Sequence, residues 1–243
     1  MTLRPRTALA LALGASLAAA CATGPGPVEM IDGAQVVDLD EFASRSTEGL
    51  WSADELLGLP VRGANDEEIG EVENLVVGPD DRLRAMIVEV GGFLDIGDTH
   101  VRVPWSEIDV DPASVDVEFV RTNLTEADVE RYDAAAGGAG ADAGGERREW
   151  RVDELIGDYA SLEDGSPRDY GIVRDVMFDG DRLESVVVNR SARYGGGLYN
   201  YPYHGYRSGL GFDPGLNDYR VGYGTVGIGT YGPFDYGTLG GPL

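Results

Sequence analysis

Between Ile69 and Ile108, short runs rich in Val, Ile and Leu alternate with turn clusters at Gly78-Pro79-Asp80-Asp81, Gly91-Gly92 and Asp95-Ile96-Gly97-Asp98. Gly, Pro and Asp at that spacing interrupt any helix, whereas successive antiparallel strands need such breaks. From Thr99 to Trp105 the alternation is regular: Val101, Val103 and Trp105 fall on one face, His100 and Arg102 on the other. A strand with one wet face fits a small barrel or sandwich better than a buried parallel sheet.

The segments LLGLPV (Leu56 to Val61), IGEVENLVV (Ile69 to Val77), RAMIVEVGGFLDIG (Arg84 to Gly97) and HVRVPWSEI (His100 to Ile108) follow one another in an order that resembles the PRC-barrel family. The family pattern has a G-x-x-V leading a strand, a β-branched run ending in Gly91-Gly92-Phe93-Leu94, and a close of Val-x-Val with Pro104 and an aromatic, here Trp105. Asp95 stands where the family often carries glycine. The resemblance implies a small antiparallel β-barrel that folds and binds partners, with no shared active site. Gly91, Gly92, Phe93, Leu94, Pro104 and Trp105 are thereby the structural or partner-binding candidates.

Beyond residue 149 the chain repeats itself. Trp150-x-Val-Asp153-Glu154-Leu155-Ile156-Gly157 echoes Trp51-Ser-Ala-Asp54-Glu55-Leu56-Leu57-Gly58, and Gly171 to Asn189 echoes Gly70 to Glu89 at an offset near 100. That period indicates a duplicated domain, since solenoid repeats are far shorter. The second copy lacks the Gly-Gly-Phe-Leu run at the matching place and reads Arg193-Tyr194-Gly-Gly-Gly197 instead. It is expected to be degenerate: an incomplete barrel that leans on the first copy or borrows strands from the tail or a second subunit.

The tail from 194 to 243 holds 15 glycines and nine of the chain's 12 tyrosines. Such composition predicts a disordered or loosely docked extension, the alternative being a sticky aromatic segment. The fold class expected is therefore mostly β: one PRC-like barrel, a degenerate copy, and a disordered Gly/Tyr-rich tail. The expected boundaries are a signal peptide at 1–20, a tether at 21–49, the barrel at 50–120, a short helix and Gly/Ala linker at 121–149, the second copy at 150–193, and the tail at 194–243. Ser52-x-x-Glu55 and Thr125-x-x-Asp128 have the spacing of helix N-caps.

At the N-terminus, Arg4 and Arg6 precede an apolar run from Ala8 to Ala20, the layout of an export signal and too short to span a membrane. The run ends Leu17-Ala18-Ala19-Ala20-Cys21, which is similar to a bacterial lipobox with Ala18 in the usual leucine position. Lipidation of Cys21 would anchor the chain in the envelope, with the outer membrane favoured over the inner; cleavage at an Ala-x-Ala site leaving a free Cys21 is the alternative. As the sole cysteine, Cys21 cannot form an internal disulfide.

The formal net charge is −24, from 43 acids against 19 cations, every one of them arginine. Nucleic acid is excluded as a partner, because affinity for phosphate backbones needs a cationic face. Attachment to a membrane would rest on the lipid rather than on the surface, leaving an unidentified envelope protein as the expected partner. Asp109 to Val120 alternates acids with apolar residues, but lacks the turn glycine and closing glutamate of a calcium loop. The two histidines, His100 and His204, have no nucleophile or metal ligands at useful spacing, so no catalytic, cofactor or metal residue is assigned and no enzyme is expected. The expected function is a non-catalytic envelope lipoprotein that binds or scaffolds proteins. The alternatives are an accessory subunit of a membrane redox or photosynthetic complex, or an acidic cation-binding stress-tolerance protein.

Overall fold

The computed structural model describes residues 29–31, 34–45, 47, 49–90, 99–110, 118–129, 148–165, 168–206, 210–229 and 231–239. In chain order the elements are β1 (Glu29–Ile31), β2 (Ala34–Val36), α1 (Leu39–Ala43), β3 (Leu50–Ser52), α2 (Ala53–Leu56), β4 (Pro60–Arg62), β5 (Glu68–Val77), β6 (Leu83–Val90), β7 (Thr99–Pro104), β8 (Ile108–Asp109), β9 (Val120–Thr122) and α3 (Glu126–Val129). Then come β10 (Trp150–Arg151), β11 (Tyr159–Ser161), β12 (Gly171–Asp179), β13 (Arg182–Arg190), β14 (Leu198–Pro202), β15 (Gly211–Asp213) and β16 (Asp218–Arg220).

The fold is mostly β, as the sequence predicts, in two seven-stranded sheets and a separate two-stranded one of β1 and β2. The first sheet is ordered β7-β6-β5-β4-β9-β8 and the second β14-β13-β12-β11-β16-β15, so the copies share one topology strand for strand. Most pairs are antiparallel, but β4 runs parallel to β9 and β11 parallel to β16. Among the described residues neither pairing path closes into a barrel.

Each sheet is built on a long hairpin. β5 and β6 are joined by the Gly78 to Arg82 turn, where Asp81 takes a left-handed φ of 64°. In β12–β13 the matching turn uses Gly180 at φ 56°. Register shifts fall at the same places in both, between Val72 and Asn74 and between Val173 and Asp175. A bulge inserts a residue and re-aims the side chains that follow it. On β7 the expected faces hold: Val101 and Val103 are buried, while His100 is exposed.

Of the outcomes the sequence leaves open for the second copy, borrowing strands from the tail is the one observed, so the tail residues that form them are not a disordered extension. Leu198–Pro202, Gly211–Asp213 and Asp218–Arg220 are the strands that complete the second sheet, in the places that β7, β8 and β9 take in the first. The physical reason is aromatic burial. Tyr201, Phe212 and Tyr219 are fully buried, and a few large rings supply the apolar area that many aliphatic residues supply in the first copy. Glycines sit at the ends of those strands and in the chain beside them; Gly205, Gly211 and Gly222, for example, all have positive φ.

The sheets also trade strands. β3, which opens the first copy, pairs with β12 of the second, with Trp51 opposite Phe178. β10, which opens the second copy, pairs with β5 of the first, with Trp150 opposite Val77. Between the hairpin turns, Leu83 N–H donates to Asp181 O at 2.8 Å and Leu183 N–H donates to Asp81 O at 2.9 Å. These reciprocal contacts relate the copies by an approximate two-fold axis. One continuous core results, holding Val61, Leu75 and Met86 with Val176, Val186 and Tyr201.

Candidate functional site

The exchanged strands put each copy's opening tryptophan at the joint between the sheets. Trp51, 1% exposed, stacks on Phe178 of the second copy at 4.7 Å and lies parallel to Trp105 of its own copy at 6.0 Å. Its indole N–H donates to Gly180 O at 2.9 Å. Trp150, fully buried, packs against Phe212 at 4.6 Å and Tyr203 at 6.3 Å. Pro104 ends β7 opposite Ala85, and Pro202 ends β14 opposite Ser185. Trp105 and Tyr203 are therefore counterparts, each following the proline and each facing the opening tryptophan of its own copy. The sequence-predicted pair Pro104 and Trp105 thus belongs to the joint. Gly91, Gly92, Phe93, Leu94 and Cys21 lie outside the described residues, as do positions 111–117 of the acidic alternation.

Two buried polar side chains mark the same joint. Asp175, just past the bulge of β12, accepts from Asp54 N–H at 3.2 Å, from Val176 N–H at 2.8 Å and from the Tyr236 hydroxyl at 3.0 Å. The Ser52 hydroxyl also donates to it. Ser52 stands at the N-cap of α2 but makes no cap hydrogen bond there, so the capping expected of it is corrected: the second copy's carboxylate satisfies the helix start instead. Thr125 and Asp128 do form the expected reciprocal cap, with Asp128 N–H donating to Thr125 Oγ1 at 3.2 Å and Thr125 N–H to the Asp128 carboxylate at 3.1 Å. Asn74 takes Asp175's place in the first copy, and its Oδ1 accepts from Asp153 N–H at 3.4 Å. Burial pushes the Asp175 carboxyl up to about 6, against the pull of its four donors. Asp158 is likewise raised to about 6, first by burial and then by the nearby charge of Asp218.

Behind β14 a guanidinium is enclosed by phenols. Arg190 is buried, donates from Nε to Tyr201 Oη at 2.9 Å, and lies 3.2 Å from the centre of the Tyr199 ring. Tyr170 and Tyr201 share a hydrogen bond; burial raises the Tyr170 hydroxyl well above its ordinary range and raises that of Tyr201. The cluster is a cation held by ring faces and neutral oxygens, and it ties Arg190 of β13 to Tyr199 and Tyr201 of β14. His204 is buried, with Nε2 3.1 Å from Val221 O. Among the described residues no group of three or more His, Cys, Asp or Glu side chains is placed to hold a metal ion.

Sequence reasoning allowed the second copy to borrow strands from the tail, and it does, but it did not say which residues form them, although a signal was present. Tyr199-Asn200-Tyr201-Pro202-Tyr203 has the form of Val101-Arg102-Val103-Pro104-Trp105 with tyrosine in place of valine. The strand exchange left no local trace, because partners as far apart in sequence as Trp51 and Phe178, or Val77 and Trp150, are fixed by tertiary packing.

No curated protein matches the chain. Residues 48–124 match the PRC-barrel domain family. That segment contains β3 to β9 and the joint residues Trp51, Asn74 and Trp105; by this match the chain carries a PRC-barrel domain at residues 48–124, which suggests a protein-interaction module.

Proposed function

We propose that the chain is a non-catalytic lipoprotein of the bacterial cell envelope, anchored through Cys21, whose paired PRC-like sheets bind and scaffold an envelope protein. The observation that carries the reading is the reciprocal strand exchange. Each sheet takes up a strand from outside its own copy and seats an aromatic anchor beside it, as in recognition by strand addition. Within the chain those two places are filled, so an external partner meets the ends of the pairing paths at β7, β8, β14 and β15. A net charge of −24 favours a basic partner and makes association sensitive to salt.

The test is chemical cross-linking of the full chain in native envelopes, alongside fractionation of Cys21→Ser. The wild type is expected in the membrane fraction with a defined cross-linked protein, and Cys21→Ser in the soluble fraction. Retention of Cys21→Ser in the membrane overturns the anchor, and absence of any defined partner overturns the scaffold. Truncation after Arg193 is unsuitable as a control, because it removes three strands of the second sheet.

A further inference from the structure

A cavity of about 500 Å³ opens between α1, the β12–β13 hairpin and the segment 231–238. That volume falls in the range of small-molecule sites. Its walls come from both ends of the chain, and three hydrogen bonds fix them. Thr47 Oγ1 donates to Thr238 O at 2.6 Å, Phe234 N–H donates to Leu198 O at 2.7 Å, and the Tyr231 hydroxyl donates to Asn200 O. Except for Leu50, its lining lies outside residues 48–124, so the PRC-barrel match says nothing about it.

The lining is specific in character. Phe42, Tyr231 and Phe234 provide aromatic surface. Asp179, Glu184 and Asp235 contribute three carboxylates against the one guanidinium of Arg45, which leaves two net negative charges. Arg45 itself is held at the rim, 3.3 Å from Glu184 and 5.8 Å from the centre of the Phe42 ring. An organic cation is thus already accommodated by a carboxylate and a ring face at this edge. Asn200 also lines the cavity; it is 6% exposed, and its carboxamide oxygen has no hydrogen-bond partner. A buried acceptor without a donor is costly, and a ligand N–H relieves the cost.

We propose that this cavity binds a small primary amine carried on an apolar or aromatic body. Ring faces and carboxylates attract the ammonium, the aromatic walls take the body, and turning the Asn200 amide presents its acceptor to an ammonium N–H. A carboxylate ligand is repelled by the same lining. A neutral alcohol of equal shape keeps the apolar contact and loses the charge.

The probe is 2-phenylethylamine, titrated calorimetrically into the full-length protein at low salt, with 2-phenylethanol and 3-phenylpropionate as comparators. The amine is expected to saturate a single site, the alcohol to bind at least about tenfold more weakly, and the carboxylate to give no saturable heat. Asp179 is exposed, so Asp179→Asn leaves the fold alone and is expected to weaken the amine roughly threefold without changing the alcohol. Asn200→Leu keeps the branched shape of the side chain, though with greater bulk, removes the acceptor and is expected to weaken the amine further. Equal affinity for amine and alcohol overturns the proposal. So does amine binding that neither variant changes, which indicates diffuse attraction to the acidic surface, and so does an absence of saturable heat.

Discussion

Replacing Asp175 by Asn, the residue type that the first copy carries at the matching bulge, is expected to lower the pH dependence of stability. The carboxyl is fully buried, and burial outweighs its four hydrogen-bond donors to raise it to about 6. In the unfolded chain an aspartate titrates near 3.9. Below about pH 4 the group is protonated in both states and contributes nothing. Between about 4 and 6 the folded protein holds a proton that the unfolded chain has released, so this group's contribution to stability falls as pH rises. Above about 6 the cost is constant. A rise of about two units corresponds to roughly 3 kcal/mol, an upper figure because water penetration softens it. Asparagine cannot ionise. The stability of Asp175→Asn relative to wild type should therefore improve by up to about 3 kcal/mol between about pH 3.5 and about pH 7.5. Loss of one acceptor oxygen adds a pH-independent offset of about 1 kcal/mol in the other direction. Urea unfolding of both proteins across this range measures the difference, in which the remaining acids cancel. A difference that does not vary with pH would refute the reasoning. A variant that loses ground as pH rises would show that the donors, not burial, set the titration.

The joint makes two further outcomes checkable. Trp150→Ala and Trp51→Ala each empty a fully desolvated aromatic site and are expected to cost about 3–5 kcal/mol, with near- and far-ultraviolet dichroism melting together because one core serves both sheets; two separated transitions would show independent copies. Gly70→Ala and Gly171→Ala place a Cβ against the carbonyl oxygens of Glu89 and Asn189 on the partner strands and should cost at least about 2 kcal/mol. Gly157→Ala, at φ 98° with open space around it, should cost only about 1–2 kcal/mol from backbone conformation; denaturant midpoints of the three rank them.

What could be read in the sequence was local. The hairpins β5–β6 and β12–β13 announce themselves through β-branched runs around Gly-Pro-Asp-Asp and Asp-Gly-Asp turns, and the Thr125–Asp128 cap follows from spacing alone. The duplication was legible because Trp51 and Trp150 open matching runs. The second copy borrows strands from the tail, as one of the sequence readings allowed, but the tail's composition pointed to a disordered extension because glycine and tyrosine usually mean low complexity. Composition cannot show that Tyr201 and Tyr219 point inward, which register with β13 and β11 decides. The role of Ser52 was misplaced for a related reason. Its local spacing predicts a cap, but a buried carboxylate 123 residues away competes for the hydroxyl and wins.

A pair of copies related by an approximate two-fold must match where they meet and is free to differ elsewhere, and the pattern of differences separates folding from binding. At the joint the copies agree in kind: tryptophan faces an aromatic, a bulge falls at the matching place of the long hairpin, and a buried side-chain oxygen receives a backbone N–H of the other copy. Away from it they diverge. The second copy alone combines tyrosine strands, the enclosed Arg190 and the cavity walled by α1 and the C-terminal segment. Substitutions at the joint should therefore change stability in both sheets at once. Substitutions around Asp179, Asn200 and Phe234 should change what the protein binds while leaving the common core in place.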